Sequence, residues 1–373
     1  MIGRREFLAG LAGAAGWASG LAGAAVEVTR RNDAGKGPRR GVSLAGAEFG
    51  TGASFCNEDP GKFGKDYTYN SERTVAYFAD LGITPLRVPF RWERIQPRLG
   101  EALDGAELGR LGQVVGRAKT HGATVILDVH NFGRYRLRRG GKIVEAVIDG
   151  KVGDEVPVTR DHFADLWRRL SAAFRDEPAV EAYALMNEPH DMGRSDWKAI
   201  SRAAVAAVRA EGDQKLVVVP GESWSNSDKF VRVNGPTPWV EDPSGRVAYE
   251  AHCYFDADFS GQYKHSYDEE LAKDKDLDRR GVRRLVEFAG WCAVNGVSGF
   301  LGEFGVPGND PRWLRVLGPF LDALDRIGMD SCYWAAGDWW PKSDLLSIQP
   351  RDDFRRPAPQ VEAIRRRGAR PSS

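Results

Sequence analysis

Cysteine is scarce in this chain, and it follows no metal-binding or redox pattern. The 373 residues include four cysteines, and no two of them stand in C-x-x-C spacing. They are Cys56, Cys253, Cys292 and Cys332. The spacing gives no support for a zinc site or a dithiol redox centre. We predict no disulfide and expect buried free thiols.

The chain also lacks an excess of charge and any long apolar run. Lys and Arg total 53 and Asp and Glu total 52, which leaves a formal charge of +1. A balanced chain has no electrostatic reason to bind nucleic acid or an anionic membrane. The one weakly apolar N-terminal run is short and broken by glycine, so we expect no lasting membrane insertion.

The N-terminus resembles a twin-arginine export signal. Arg4 and Arg5 precede an Ala/Gly-rich run that ends at Ala25, where small residues would permit cleavage. We therefore predict a signal over residues 1–25, a linker over 26–40 and a catalytic domain over 41–373. The protein would be exported, either to the periplasm or outside the cell. A disordered or membrane-anchoring tail is the alternative.

Strand-length apolar runs alternate with helical patterns along the rest of the chain. The expected strands are 41–49, 84–90, 124–131, 180–186, 215–220, 247–254, 299–305 and 330–335. Eight strand–helix units predict an α/β fold, a closed (β/α)8 TIM barrel in a single domain. An open doubly wound sheet is the alternative, but the G-x-G-x-x-G phosphate loop typical of it is missing. A small hairpin is expected from 142–144 with 146–148.

Polar and aromatic residues collect where these strands end. They are Glu48, Arg87, His130 with Asn131, Asn187 with Glu188, Trp224, His252 with Tyr254, Glu303, and Trp334. Each alone is more often structural, but the carboxyl ends of barrel strands meet at one mouth. Glu188 and Glu303, on the fourth and seventh strands, would face each other there. Such a pair suits glycoside hydrolysis, with one protonated acid and one ionised carboxylate.

As a set, the strand-end motifs resemble glycoside hydrolase family 5. The motifs are LRVPF (86–90), DVHN (128–131), LMNEP (185–189), HCY (252–254), GEFG (302–305) and YWAAG (333–337). The resemblance implies a retaining enzyme with Glu188 as acid/base, Glu303 as nucleophile and no metal or organic cofactor. It further implies that Arg87 and Tyr254 contact Glu303, that Asn187 binds the neighbouring sugar hydroxyl, and that His130, His252 and Trp334 line the reacting subsite. Asn131 and Trp224 are expected to contact substrate from adjacent strand ends.

A closer likeness narrows the expected substrate. The stretches 41–50, 128–135, 156–174 and 184–192 resemble the microbial endo-1,4-β-glucanase branch of that family. We therefore predict a monomer that cleaves internal β-1,4-glucosidic bonds of cellulose or a related β-glucan polysaccharide. The alternatives are β-mannan, β-1,3-glucan, xyloglucan or exo-glucosidase specificity, or a catalytically silent carbohydrate-binding barrel. Glu48 and Glu222 are additional strand-end carboxylates, and as candidates for the catalytic acid they rank well below Glu188 and Glu303.

Overall fold

The structure, a computed structural model, describes residues 37–365. The export signal and most of the expected linker lie outside this range. The strands are β1 (Arg40–Leu44), β2 (Leu86–Phe90), β3 (Val125–Val129), β4 (Arg134–Arg139), β5 (Lys142–Val147), β6 (Val180–Ala184), β7 (Leu216–Pro220), β8 (Val247–His252), β9 (Ser298–Glu303) and β10 (Asp330–Ala336). The helices are α1 (Glu72–Asp80), α2 (Trp92–Ile95), α3 (Gly105–Thr120), α4 (Arg160–Phe174), α5 (Trp197–Ala210), α6 (Phe230–Asn234), α7 (Tyr267–Lys273), α8 (Arg280–Asn295), α9 (Pro311–Ile327) and α10 (Pro359–Ile364).

Eight of the strands form a closed parallel barrel, which confirms the expected fold. Their order around the barrel is β1, β10, β9, β8, β7, β6, β3 and β2. The strands are apolar along most of their length because one face packs into the barrel interior and the other packs under the helices. All eight carboxyl ends therefore open at the same mouth.

The helices follow the sequence pattern closely. In α4 the residues Phe163, Leu166, Trp167, Leu170 and Phe174 are all buried on one face, as their spacing predicted. Helix α9 begins at Pro311 and ends before Gly328, which has φ 70°. Proline suits the first turn and glycine the left-handed cap, so both ends can be read from the sequence.

The hairpin beside the mouth differs from its prediction. Strand β4 pairs antiparallel with β5, and the turn lies at Gly140 and Gly141. The two expected arms, 142–144 and 146–148, instead lie almost wholly in one strand, β5. The error arose because β4 carries four arginines and was not recognised as a strand, although it alternates with Tyr135 and Leu137.

The polar stretch 256–280, which follows β8, contains a short helix that its composition does not suggest. Helix α7 has a capping box in which Ser266 and Glu269 each bond to the other's backbone N–H. This S-x-x-E pattern is a recognisable helix start. None of the helices in the described part of the chain is long and apolar enough to span a membrane. All four cysteines are buried free thiols, as predicted.

Candidate active site

Two carboxylates, one buried and one partly buried, meet at the barrel mouth. Glu303 is the last residue of β9, and Glu188 lies four residues beyond β6. A carboxylate oxygen of Glu188 and one of Glu303 lie within 4.8 Å of each other. His252, at the end of β8, lies between them: its Nδ1 is 2.7 Å from Glu188 Oε1 and 3.5 Å from Glu303 Oε2. The barrel thus brings together three of the residues expected at the site.

Glu303 is surrounded by groups that favour its ionised form. Arg87 Nη1 donates to Oε1 at 2.9 Å, and the Tyr254 hydroxyl donates to Oε2 at 2.8 Å. Burial alone would raise the pKa of Glu303. The positive charges of His252 and Arg87 outweigh burial and hold this pKa below its usual range. Glu303 is therefore set up as a permanent carboxylate.

Glu188 has the opposite environment. Its burial and the negative charge of Glu303 raise its pKa, although the hydrogen bond from His252 opposes the shift. Two neighbouring carboxylates with pKa values displaced in opposite directions divide into one acid and one base. Glu188 can therefore donate a proton to one atom of a substrate bond, while Glu303 presents a negative charge to the other atom.

Arg87 is fully buried and faces three carboxylates. Besides Glu303, its Nη2 lies 3.2 Å from Asp128 Oδ2 and 3.5 Å from Glu250 Oε1. Neither Asp128 nor Glu250 was identified from the sequence. Each stands two residues before a strand-end histidine, in D-V-H and E-A-H. Because residues i and i+2 of a strand share a face, this pattern would have found both.

His130 is held in one tautomer by its neighbours. Its Nδ1 lies 2.9 Å from Asp128 Oδ2, and its Nε2 lies 3.3 Å from Asn187 Nδ2. The amide nitrogen can only donate, so Nε2 accepts and the proton resides on Nδ1. The ring also stacks on Trp334, with centroids 5.2 Å apart and planes inclined by 15°. His130, Asn187 and Trp334 therefore form one wall of the site.

Asn131 is buried away from the pair and bonded to protein on all sides. Its Oδ1 accepts from Trp92 N at 2.8 Å, and its Nδ2 donates to Glu93 Oε2 at 2.8 Å and to Arg134 O at 3.1 Å. These bonds tie β3 to α2 and to the hairpin. Asn131 therefore positions the loop after β3, and its contact with substrate stays a prediction.

Trp224 is an exposed aromatic surface beside Glu188. Its side chain is 47% exposed, and its ring stacks on His190 with centroids 3.4 Å apart and planes inclined by 10°. Its backbone N donates to Pro189 O at 3.2 Å, next to Glu188 in the chain. The structure places His190 as the support beneath Trp224.

Two other carboxylates were considered from the sequence. Glu48 is buried, and its Oε2 accepts from Gly46 N at 2.7 Å. Burial raises the pKa of Glu48 to about 7. Glu222 is half-buried, and burial raises its pKa as well. Neither has an ionic partner like those around Glu188 and Glu303 among the hydrogen bonds and ion pairs of residues 37–365.

The donor set around His252 does not suit a metal ion. Glu188, His252 and Glu303 offer oxygen and nitrogen atoms close together. However, His252 Nε2 also faces Glu250 Oε1 at 3.1 Å, so both ring nitrogens already face carboxylates. Arg87 supplies the positive charge that a metal would otherwise provide. This arrangement is suited to holding protons.

Three comparisons with known proteins agree with this geometry. Residues 42–343 match the family model described as Cellulase (glycosyl hydrolase family 5). The Endo-beta-1,4-glucanase B of Emericella nidulans is 30% identical over 316 residues, which cover 84% of this chain and 86% of that protein.

Solved structures with the same architecture include two bacterial endoglucanases. The Pseudomonas stutzeri endoglucanase Cel5A, solved with cellobiose, is 34% identical with a TM-score of 0.75 and covers 88% of this chain and 91% of that one. XacCel5A, solved with cellopentaose, is 32% identical with a TM-score of 0.75 and covers 88% of this chain and 98% of that one. The barrel, the paired carboxylates and the match over most of the chain lead to one conclusion: the chain belongs to glycosyl hydrolase family 5.

Proposed function

We propose that this protein is a retaining endo-β-1,4-glucanase, with Glu188 as acid/base and Glu303 as nucleophile. The observation that carries the proposal is the pair itself, whose oxygens lie within 4.8 Å while their pKa values are displaced in opposite directions. Retaining glycosidases hold their carboxyl groups about 5–5.5 Å apart, whereas inverting ones need roughly 6.5–9.5 Å to admit a water. The close spacing supports retention.

In the first step the ionised Glu303 attacks the anomeric carbon. The bond from that carbon to the leaving oxygen breaks, and Glu188 transfers its proton to that oxygen. The product is a glycosyl ester on Glu303 and an ionised Glu188. Arg87 and the Tyr254 hydroxyl hold the attacking carboxylate in place. Asn187, which His130 and the backbone of Phe132 hold in position, is the residue that we propose binds the neighbouring sugar hydroxyl.

In the second step Glu188 acts as a base. It takes a proton from a water molecule, whose oxygen attacks the anomeric carbon and displaces Glu303. Two displacements at the same carbon restore its original configuration. Both residues return to their starting protonation states, so no cofactor is consumed.

The aromatic residues support a β-glucan substrate. Trp334 and Trp224 lie near the pair, and aromatic faces pack against the apolar faces of pyranose rings. Relatives of this chain are named endo-beta-1,4-glucanases, and two were solved with cellobiose or cellopentaose. We further propose that the protein is exported, because its N-terminus resembles a twin-arginine signal. We also propose that it acts as a monomer.

The test is product analysis on a panel of soluble polysaccharides. Residues 26–373 are incubated with a β-1,4-glucan, a β-1,3-glucan, xyloglucan and β-mannan. We expect the β-1,4-glucan to be cut fastest, with a rapid fall in viscosity from internal cleavage and NMR signals of the β-anomer appearing first. Faster cleavage of mannan, or initial release of the α-anomer, would refute the substrate or the retention.

The nucleophile is tested with Glu303→Gln. This variant keeps the side-chain shape but cannot form the ester, so turnover should fall below about one thousandth of the parent. Its thermal melting curve should remain cooperative. Turnover close to that of the parent would show that Glu303 is not the nucleophile.

A further inference from the structure

Glu250 is a buried carboxylate with no part in the two displacements just described. It is the fourth residue of β8, has no exposed surface, and lies two residues before His252 on the same face of the strand. Its Oε1 makes both of its polar contacts, to His252 Nε2 at 3.1 Å and to Arg87 Nη2 at 3.5 Å. Its Oε2 has no hydrogen-bond partner among residues 37–365.

The fold makes room for this carboxylate with a glycine. A Cβ atom at Gly302 would lie 1.7 Å from Glu250 Oε1 and 2.6 Å from its Cδ. Gly302 directly precedes Glu303 in β9, and its φ is outside the left-handed region. The glycine is therefore needed here for close approach and not for an unusual backbone conformation.

The protonation of His252 controls what Glu188 can do. When both ring nitrogens carry protons, Nδ1 can only donate to Glu188, and the proton of Glu188 is free to point towards the leaving oxygen. When His252 is neutral, its remaining proton can stay on Nε2, so Nδ1 becomes an acceptor. At 2.7 Å, Nδ1 would then hold the proton that Glu188 needs to donate.

We propose that Glu250 is a positioning residue that keeps His252 doubly protonated, so that Glu188 stays available as an acid. This inference rests on the proposed acid/base role of Glu188. The charge of Glu250 lies on the side of the ring opposite Glu188 and stabilises the imidazolium from there. Glu250 contacts neither carboxylate of the pair. Its shorter contact is with His252 at 3.1 Å, its longer one is with Arg87 at 3.5 Å, and its effect on Glu188 passes through His252.

The other charged groups around His252 support the same state. Glu303 approaches Nδ1 from β9 and Glu188 from the loop after β6, while the cation Arg87, which opposes the positive charge on the ring, contacts Glu250 and Glu303. Burial alone would lower the pKa of His252, but Glu303, Glu188 and Glu250 together raise it to about 10. Burial raises the pKa of Glu250 itself. We therefore expect His252 to carry two ring protons at neutral pH.

The direct test is nitrogen NMR of the ring of His252 in the full mature chain at pH 7. We expect two protonated ring nitrogens in the parent. A neutral ring in the parent would overturn the inference outright, whatever happens in any variant. Because this measurement does not depend on turnover, it separates failure of the inference from failure of the proposed function, which the Glu303→Gln and product tests address.

The kinetic test is Glu250→Gln, which keeps the shape and removes the charge. We expect kcat/KM on β-1,4-glucan to fall about a hundredfold, with a much smaller fall on an aryl cellobioside whose leaving group needs no proton. His252 should then show one protonated nitrogen at pH 7. Equal losses on both substrates, with His252 still doubly protonated, would leave Glu250 with a structural role only and refute the proposal.

Three further variants serve as controls. Asp128→Asn removes a similar buried carboxylate that contacts Arg87 and His130, and it should lower activity on both substrates alike.

Gly302→Ala should displace Glu250 and reproduce the selective loss on polymer, which also covers the case in which Glu250→Gln does not fold. Gly318→Ala, in α9 with no atom within 4 Å of the added Cβ, should change nothing. A Gly302→Ala variant with unchanged preference between the two substrates would contradict the proposal.

Discussion

At the scale of single residues, neighbours decide what each carboxylate does. Glu188, Glu303 and Glu250 are chemically identical, and Glu303 and Glu250 are buried while Glu188 is partly buried, yet they face different partners. Glu303 faces two cations and a hydroxyl donor, whereas Glu188 faces a negative charge and a single histidine. Because burial amplifies each of these interactions, small differences in position produce opposite pKa shifts.

The acid/base role of Glu188 predicts a dependence on the leaving group. In Glu188→Ala, activity on polymer should fall by about 10²–10⁴-fold, since general acid help of that size is lost. The first step on an aryl cellobioside with a good leaving group should fall far less, and a burst of released phenol followed by slow turnover should be seen. Stopped-flow absorbance measures both phases.

Glu222→Ala is the matched control for that experiment. Glu222 is a strand-end glutamate outside the pair, and its removal should leave the ratio of the two activities unchanged. An equal loss on polymer and aryl cellobioside in Glu188→Ala would show that Glu188 is not the acid.

At the scale of elements, the barrel strands hold the chemistry and the loops between them shape the cleft. The hairpin β4–β5 and the loop after β7 flank the mouth on the side of Glu188. Phe132, which precedes the hairpin, packs edge-on to Trp224 at 6.0 Å and at 5.3 Å to His130. The loops thus extend the aromatic wall of the site towards the leaving-group side.

This placement predicts that Trp224 binds the departing part of the chain. Trp224→Ala should raise KM for cellopentaose about tenfold, which corresponds to the ~1–1.5 kcal/mol typical of an aromatic contact, with a small effect on kcat. Trp224→Phe keeps a flat ring over His190 and should recover most of the loss. Steady-state kinetics on cello-oligosaccharides of increasing length measure the effect. A loss of kcat with unchanged KM would place Trp224 outside the binding surface.

At the scale of the whole molecule, barrel closure brings distant charges into one electrostatic unit. Glu188 and Glu303 are 115 residues apart in sequence (303 minus 188), yet their oxygens lie within 4.8 Å. Arg87 comes from β2, and Tyr254 lies two residues beyond β8. No local segment contains the site, so any change that opens the barrel should abolish activity together with the cooperative fold.

The coupled pair predicts the basic side of the pH profile. Glu188 must be protonated in the first step, and its pKa is raised by burial and by Glu303, so kcat/KM should fall as the pH rises through that raised value. The fall in kcat/KM should therefore occur at a pH above the usual pKa range of a glutamate. His252 stays charged there because its pKa is about 10.

Initial rates on the polymer, measured across the pH range, give this basic side of the pH profile. The control repeats the measurement with Glu188→Ala on the aryl cellobioside, because the fall of kcat/KM with rising pH should disappear when Glu188 is gone. Activity that keeps rising with pH through the neutral range in the parent would contradict the assignment of Glu188 as the acid.

The sequence by itself determined the barrel and most of its site. Eight apolar runs of strand length, each followed by a helical pattern, predict parallel strands joined by helical crossovers. Eight such units predict a sheet that closes into a barrel. Helix ends such as Pro311 and Gly328 follow from backbone preferences that act locally. The catalytic pair could also be named, because strand ends of a barrel meet by topology alone.

Only the tertiary structure decided which groups touch. The bonds of Asn131 to Trp92, Glu93 and Arg134 were not foreseen, because they depend on how a loop, a helix and a hairpin pack together. The place of Glu250 two residues before His252 can be read from the sequence, but its 3.1 Å contact with that ring and its close fit against Gly302 appear only in three dimensions. Hydrogen bonds and charge coupling act over a few ångströms, and the sequence pattern does not fix distances at that scale.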